Sequence, residues 1–335
     1  MLLRRGAFIL IFSLALPGPS NAATELEERE AVHQAVLIAL LNSDFRMLEE
    51  MSQKFRREKS RTSSGLWKLT LFYAGIVGAA KKFATLAPGS LSFEEFENRT
   101  TKWAEQYPSS PAAHISHSIV LLRHGWAFRG SGYAHTVKPE AWAPFRKYVQ
   151  LARNNLEKYR PVAVHDPRWY ETMLEIARLQ DWERDAFDLL VKEALDREPL
   201  FYQTYFMALD YLLPKWHGDI LEIERFAQAA TKRTSKEEGA GMYARIYWYA
   251  SQTQFENDLF RDSMAVWPRM KVGFEDVIAK YPDAWNLNNY AKFACLAQDK
   301  PKTRQLLARI GSATLPDAWE PEPLLAQCTA WASRQ

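Results

Sequence analysis

One segment of the sequence, residues 125–133, combines three glycines with aromatic and basic side chains. It contains Trp126, Arg129 and Tyr133, so a loop here could form an aromatic-walled pocket with one cation to orient a ligand. The glycine spacing superficially resembles a phosphate-binding loop, but a Lys-Ser/Thr pair is missing and no strand pattern precedes the segment. We therefore exclude a nucleotide site. Two interpretations stay open, a wide turn whose rings dock onto the core and a ligand-binding loop.

A second segment, residues 213–219, places Lys215, Trp216 and His217 between a proline and a Gly-Asp pair. The proline is expected to end one helix and the Gly-Asp pair to begin the next. The three side chains would then lie in a turn, where binding residues are often found. We interpret them as candidate ligand-binding residues. The alternative is a structural role in which the Trp216 ring packs into the core.

Three histidines, His114, His117 and His124, share one face of a predicted helix. His124 lies about 10 Å beyond His117 at a rise of 1.5 Å per residue. One ion could not easily bind all three, and this helix lacks a carboxylate at the spacing of a zinc site. We interpret the imidazoles as packed or solvated, and we predict no metal site and no cofactor.

Enzyme motifs are missing from the sequence. There is no Gly-x-Ser-x-Gly nucleophile turn, no His-Glu-x-x-His zinc helix and no paired-cysteine metal knuckle. Adjacent carboxylates such as Glu94 and Glu95 point to different faces of a helix, so they do not form a catalytic pair. No catalytic residue is assigned.

Residues 1–22 have the pattern of a cleavable signal peptide, with Arg4 and Arg5 followed by an apolar stretch of 12 residues and a small-x-small site ending at Ala22. The stretch is too short for a membrane span, which needs roughly 20 apolar residues. We predict cleavage after Ala22 and a periplasmic or secreted protein without a transmembrane segment; an uncleaved anchor is the alternative.

The charge of the mature chain is nearly balanced. Cleavage removes two of 43 basic residues and leaves 41 against 40 acidic ones, so a nucleic-acid partner is not predicted.

The chain has two cysteines, Cys295 and Cys328. In an oxidising compartment an even pair suggests a disulfide. Both residues also fit the apolar faces of predicted helices, so two buried free thiols are the alternative.

Helical periodicity dominates the sequence, and strand alternation is nearly absent. Helix-start signals, such as capping boxes, N-cap residues and early prolines, occur at Thr24, Asp44, Ser92, Ser110, Asp166, Asp219, Asp283, Lys300 and Glu320. Segments of 10 to 20 residues joined by short polar turns are typical of antiparallel helix pairs. We therefore predict an all-α fold in which residues 23–335 form one helical-repeat domain, with a candidate subdivision near residues 231–241.

Two stretches resemble degenerate tetratricopeptide units: Asp166-Pro-Arg-Trp-Tyr with Leu174, Ala177, Ala194 and Pro199, and Tyr281-Pro-Asp-Ala-Trp with Tyr290, Ala291 and Leu307. Together they cover about a fifth of the chain, and the resemblance implies an αα superhelix. Residues 55–69 with Phe72 and Tyr73 also resemble an uncharacterised bacterial family, domain of unknown function 4034. That second resemblance implies a bacterial source and a helical fold, and no known activity.

These patterns favour an exported binding protein. Stacked helix pairs build concave faces that hold peptides or proteins, and an aromatic-lined face would contact a protein, peptide or other envelope ligand. The alternative is a polysaccharide-active hydrolase or lyase on an αα scaffold, with aromatic subsites and a carboxylate pair. An open groove lined by aromatic, Arg and Asn side chains would favour binding, and a closed cavity with facing carboxylates would favour catalysis.

Overall fold

The computed structural model describes residues 24–85 and 92–334, without the side chains of residues 81–85. The predicted leader, with its cleavage site after Ala22, lies outside the described residues. α-Helices, numbered here in chain order, occupy most of the described chain: α1 (Glu25–Leu41), α2 (Phe45–Glu58), α3 (Lys68–Thr85), α4 (Phe93–Gln106), α5 (Pro111–Arg129), α6 (Pro139–Lys158), α7 (Arg160–Ala163), α8 (Pro167–Leu179), α9 (Arg184–Arg197), α10 (Tyr202–Leu212), α11 (Ile220–Glu238), α12 (Gly241–Ala250), α13 (Leu259–Asp262), α14 (Trp267–Lys280), α15 (Ala284–Leu296), α16 (Lys300–Ile310) and α17 (Leu324–Ser333).

Other regular structure in residues 24–85 and 92–334 is short. There are 3-10 turns at Ala134–Thr136, Glu256–Asp258 and Pro316–Trp319, a π-helical turn at Ser251–Phe255, and one isolated β-bridge between Arg61 and Trp67. The prediction of an all-α chain is thus confirmed for the part that the structure describes. None of the described helices is both long enough and apolar enough to cross a membrane.

Side-chain caps explain where several of the helices begin. At Thr24 the side chain accepts from the backbone N–H of Glu27, and the Glu27 side chain closes the reciprocal half of the capping box. Side-chain caps at six other predicted starts satisfy a backbone N–H in the first turn, and they lie at Asp44, Ser92, Ser110, Asp166, Asp219 and Asp283.

The start of the last helix differs from the prediction. A helix was expected near Glu320, whereas α17 begins at Leu324. Glu320 and Glu322 each precede a proline, which disfavours the helical conformation of the residue before it. Glu320 accordingly has an extended backbone, with ψ at 146°.

The candidate loop at residues 125–133 is also shorter than expected. α5 continues to Arg129, so only the residues from Gly130 onward leave the helix. Gly125 is a packing residue within α5: a Cβ there would lie 3.0 Å from the Cβ of Tyr148 on α6. Turns and close helix packing both favour glycine. The sequence alone therefore predicts a turn at a glycine that lies inside a helix.

The candidate subdivision near residues 231–241 does not coincide with a linker. Residues 231–238 belong to α11, and only Gly239 and Ala240 separate α11 from α12. The buried apolar side chains form two clusters that meet instead at α9 and α10, helices that contribute to both.

The helices pack in a regular order. In one series each helix contacts the next, from α1 to α3, α5, α8, α10 and α12. Helices adjacent in sequence also pack on one another, as in the pairs α4–α5, α5–α6, α8–α9, α11–α12 and α15–α16. Short connections make such neighbours antiparallel. α8 lies in the middle of this arrangement, and every residue from Pro167 to Arg178 is buried.

The segment between α2 and α3 joins the first helix to the second half of the chain. The Glu25 carboxylate accepts from the Thr62 hydroxyl at 3.0 Å and from the Ser64 backbone N–H at 2.9 Å. The Ser64 carbonyl in turn accepts from Arg245 at 2.9 Å and from Asn286 at 3.1 Å. This short stretch therefore connects α1 to α12 and α15.

Basic residues near the end of α2 strengthen the same connection. Arg56 donates to Asp166 at 2.9 Å, and the Lys59 ammonium lies 2.7 Å from a Glu198 oxygen. The structure shows that these cations reach across the fold to acidic partners on or next to α8 and α9.

Glu25 gives this connection a defined pH dependence. Burial alone would raise the pKa of Glu25, but Arg29 and the hydrogen bonds from Ser64 and Thr62 outweigh it, so the pKa is lowered from 4.5. A carboxylate whose pKa is lowered in the folded state contributes stability above its unfolded pKa, and this contribution is lost as the pH falls through the folded pKa.

We expect Glu25→Gln to lower the free energy of unfolding at pH 7 by about 1.5–3 kcal/mol, the range for hydrogen bonds to a charged group. The difference from the wild type should shrink below pH 4.5, the ordinary value for this carboxyl group. Urea unfolding between pH 7 and pH 3 measures it. Glu50→Gln, at an exposed ion pair with Arg46, is the matched control and should be nearly neutral. An equal loss at all pH values would contradict the role of the charge.

The two cysteines connect α15 to α17. Their sulfur atoms lie at bonding distance and their Cα atoms are 5.9 Å apart, with a sequence separation of 33 residues. For a loop of this length, the chain-entropy model gives a stabilisation of about 3.5 to 4 kcal/mol.

We expect Cys295→Ala to lower the free energy of unfolding by up to about 4 kcal/mol. A reducing agent should destabilise the wild type to the level of the variant and leave the variant unchanged. Thiol alkylation followed by mass spectrometry reports whether the bond is present in the oxidised protein. A wild-type protein with two alkylatable thiols after export would contradict the prediction.

Candidate ligand-binding groove

A cavity of about 780 Å³ opens where α5, α8 and α10 end. Five of the six candidate residues from the sequence line it, and they come from two distant segments: Trp126, Arg129, Tyr133, Lys215 and Trp216. We call this space the first cavity. The sixth candidate, His217, lies apart from it. The His217 ring stacks on Tyr211 with centroids 4.3 Å apart, and Nε2 lies 3.4 Å from a carboxylate oxygen of Asp181.

Local backbone geometry places the first segment. Gly130 follows the last turn of α5 with φ at +73°, in the left-handed region that favours glycine. Its N–H donates to the Trp126 carbonyl at 2.7 Å. The chain then turns at Tyr133, whose carbonyl accepts from the Thr136 hydroxyl at 2.8 Å. Trp126 and Arg129 are thereby held on a rigid helix end, and Tyr133 lies at the exposed rim.

The second segment is a tight turn after α10. The Trp216 N–H donates to the Leu213 carbonyl at 2.8 Å. Gly218 is required because a Cβ at this position would lie 2.2 Å from the Leu212 carbonyl oxygen. The turn therefore fixes Lys215 and Trp216 against the end of α8.

Arg129 is held by aromatic rings and by backbone carbonyls. Its guanidinium carbon lies 4.9 Å from the ring centroid of Trp126 and 5.1 Å from that of Trp142. It donates to the carbonyls of Gly130 and Gly132, each at 3.0 Å. Partial burial lowers the pKa of Arg129, and the positive charge of Arg178 lowers it further. The guanidinium stays charged at physiological pH.

Arg178 was not singled out from the sequence. It lies in the last turn of α8 with 9% of its surface exposed, and its guanidinium carbon is 4.4 Å from the ring centroid of Trp216. The Nε atom is buried and has no hydrogen-bond partner among the described residues. A signal for this residue is the charged stripe of α8, at positions 168, 171, 175 and 178, on a helix that otherwise carries mostly apolar side chains.

The other charged positions of the stripe have partners. Arg168 donates to Glu171 at 2.6 Å. Glu175 forms an ion pair with Arg123 and accepts from the Trp126 indole at 3.3 Å. Burial would raise the pKa of Glu175, but Arg123 and Arg178 outweigh it, so the pKa is lowered and the group is ionised.

Asp210 and Lys215 interact electrostatically in the first cavity. Burial raises the pKa of Asp210, while Arg178 and a 3.2 Å hydrogen bond from the Tyr249 hydroxyl oppose the rise. Partial burial lowers the pKa of Lys215, with Asp210 opposing and Arg178 reinforcing the change. The Lys215 ammonium donates to the Thr253 carbonyl. Neither Asp210 nor Tyr249 was recognised from the sequence.

Two further cavities continue the first. The second, of about 230 Å³, is lined by aromatic side chains and by Arg29, Arg245 and Asn286. The third, of about 760 Å³, is lined largely by polar side chains near α15 and the last turn before α17. Gln252 lines all three, so the cavities adjoin at this residue, and we call the three together the groove, with the first and third cavities as its two ends. Gln252 belongs to the π-helical turn, a local widening that is frequent at functional sites.

Charge is distributed unevenly along the groove. The first cavity contains three cations, Arg129, Arg178 and Lys215, against two carboxylates, Asp181 and Asp210. The third contains four carboxylates against one lysine: Glu256, Asp317, Glu320, Glu322 and Lys292. The groove is therefore basic at one end and acidic at the other.

The three histidines on α5 each contact a different residue of the same chain. A ring nitrogen of His114 lies 2.8 Å from the Pro108 carbonyl, and Nδ1 of His117 lies 2.9 Å from the Thr100 hydroxyl. His124 contacts Glu97 and stacks between aromatic rings. Burial lowers the pKa of His117 to about 4, and the charge of His114 contributes. Within the described ranges, no three His, Cys, Asp or Glu side chains are arranged to hold a metal ion.

Comparisons of the chain with protein-family models, with curated proteins and with solved structures give no match. The functional assignment therefore depends on the residues and geometry of the groove.

Proposed function

We propose that the mature protein is an exported binding protein that holds a protein, peptide or other envelope ligand in the groove. The observation that carries the proposal is the groove of three cavities that adjoin at Gln252, with aromatic side chains along it and opposite charge at its two ends. Aromatic and arginine side chains are the residues that contribute most to binding energy at interfaces. An extended ligand with acidic groups at one end and basic groups at the other would match this distribution.

The proposal includes a tetratricopeptide-like superhelix with the groove on its concave face. Its support is the serial packing from α1 to α12 and the pairing of α8 with α9 and of α15 with α16. The pairs α8–α9 and α15–α16 contain the two stretches that resemble tetratricopeptide units. Export is supported by the sequence pattern of residues 1–22 and, weakly, by the two cysteines at bonding distance, which suit an oxidising compartment.

A polysaccharide-active hydrolase or lyase is the second candidate, and one observation favours it. Asp210 is half-buried in the first cavity with a raised pKa, beside Lys215, whose pKa is lowered. Shifts of this kind are frequent at catalytic sites. Against it, the other carboxylate lining this cavity, Asp181, is exposed and faces His217, and the second cavity is lined by amides and cations without a carboxylate.

The binding proposal predicts where cross-links form. A photo-cross-linking amino acid at Tyr133, which is 75% exposed at the rim of the first cavity, should capture a discrete envelope component. The same amino acid at Leu189, which is 68% exposed on α9, should not, because α9 contributes no residue to the groove. Mass spectrometry of the cross-linked product, after expression with the native leader, is the measurement. Equal capture from both positions would refute groove binding.

A second measurement isolates the aromatic contribution. Trp216→Ala should weaken capture through Tyr133 by about tenfold or more, as expected for an interface aromatic residue. Trp182→Ala removes a similarly half-buried ring outside the groove and should leave capture unchanged. Melting curves of both variants show whether the fold is retained.

Asp210 distinguishes the two candidate functions. The enzyme alternative requires the wild type to cleave a polysaccharide and Asp210→Asn to lose about a hundredfold or more of that rate, since general acid–base catalysis contributes on this order. The binding proposal predicts that the wild type cleaves no polysaccharide and that the Asp210→Asn variant still captures the ligand in the cross-linking experiment. Release of reducing ends or of unsaturated products measures cleavage, and Asp185→Asn, at an exposed position of α9, is the control.

A further inference from the structure

Three cations converge on the first cavity without a carboxylate partner. Within residues 24–85 and 92–334, no ion pair within 4.0 Å joins Arg129, Arg178 or Lys215 to an acidic side chain. Aromatic faces hold the two guanidinium groups, and a backbone carbonyl holds the ammonium. Arg168, by contrast, is buried on the same helix as Arg178 and is paired with Glu171. Cation–π contacts fix a guanidinium while leaving its charge un-neutralised.

Arg178 is the strongest indication that an acceptor is required. Its side chain is nine-tenths buried and lines the cavity, and its buried Nε–H has no acceptor among the described residues. A buried cationic donor without a partner is costly. Arg178 also lies close enough to Arg129 and to Lys215 to lower the pKa of each, so the three charges act on one region of space. An oxyanion there would contact Arg178 and lie in the field of the other two.

The charged side chains that line the first cavity indicate which kind of oxyanion it would bind. Glu175 is already paired with Arg123, and Asp181 faces His217. Asp181 and Asp210 are the carboxylates that line the first cavity against the three cations, which leaves an excess of one positive charge, and a positive field attracts a doubly charged anion more strongly than a singly charged one. A carboxylate or a sulfate ester carries a single negative charge, whereas a phosphomonoester carries −1.5 to −2 at pH 7.

The size of the cavity indicates that the anion has an organic body. A volume of about 780 Å³ falls in the range of small-molecule sites, roughly 300–1,000 Å³. The rings of Tyr133 and Trp142 line the part of the cavity around Arg129 and provide apolar surface for such a body.

We propose that the first cavity binds a phosphate dianion carried on a small organic body, with Arg178, Lys215 and Arg129 as the cations that recognise it. This inference rests on the proposed function, since it assigns a ligand chemistry to one end of the same groove. A phosphorylated organic group and free inorganic phosphate share this chemistry, and the experiment separates them.

The test is a calorimetric titration of the mature protein with phenyl phosphate, inorganic phosphate, phenyl sulfate and phenol, in a low-salt buffer free of phosphate. We expect saturable binding of phenyl phosphate, binding of phenyl sulfate that is about tenfold or more weaker, and no binding of phenol. If inorganic phosphate binds more weakly than phenyl phosphate, the result supports a ligand with an organic body. If the two bind equally, the site is assigned to free phosphate. No binding of either phosphate, or equal binding of phenol, would overturn the proposal.

Substitutions locate the site. Lys215→Gln, in an exposed turn, and Arg178→Gln should each weaken phenyl phosphate binding by about tenfold or more. Arg225→Gln removes the same charge at an exposed position of α11 and should leave binding unchanged. If Arg178→Gln fails to fold, Lys215→Gln still decides, because its turn lies at the surface. Binding that is insensitive to Lys215→Gln and to any folded Arg178→Gln would overturn the assignment. Cross-linking through Tyr133 that persists while phenyl phosphate fails to bind would refute this inference alone and leave the groove function standing.

Discussion

The burial of charge on α8 is the constraint on which the arrangement of the surrounding helices depends. A helix with every residue from Pro167 to Arg178 inside the fold needs partners for most of its charged side chains, because an uncompensated buried charge is strongly destabilising. Glu175 obtains its partners from Arg123 and Trp126 on α5. The register of α5 against α8 is thereby fixed, and the last turns of the two helices come to lie side by side. The first cavity opens at that point.

The same need for partners connects the first helices to α8 and to the second half of the described chain. Asp166, at the N-cap of α8, accepts from Arg56 and from the Tyr73 hydroxyl, at 2.9 and 2.8 Å. The segment between α2 and α3 carries the connection on to Arg245 and Asn286 through the Ser64 carbonyl. An array of helix pairs held only by contacts between neighbours would lack such links. Here polar contacts across long sequence separations add to the packing of successive helices.

The sequence predicts a feature well where its determinant is local, and poorly where the determinant is a contact between distant segments. A capping box or a proline after an N-cap acts within one turn, so the starts at Thr24, Ser110 and Asp166 could be read directly. Gly125 was misread because a turn and a close helix contact both require glycine. Lys215 and Trp216 were found because they occupy a turn, whereas Arg178 and Asp210 lie within helices and acquire meaning only when α8 and α10 end side by side. The convergence of Trp126 with Trp216 across 90 residues is a property of the fold.

Helix ends explain how the cations of the first cavity are tolerated without carboxylates. Arg129 and Arg178 lie in the last turns of α5 and α8, and Lys215 follows the end of α10, where exposed carbonyls give each terminus a partial negative charge. This interaction contributes about 0.3–1 kcal/mol for each cation, and a cation–π contact adds a similar amount. Both are smaller than the several kcal/mol that burial of an ion costs. Stacking and helix ends therefore hold the cations in place without neutralising them, and the remaining charge is directed into the cavity. On the same helix the charge of Arg168 is taken up by Glu171, whereas the charges of these three cations stay available to an anionic ligand.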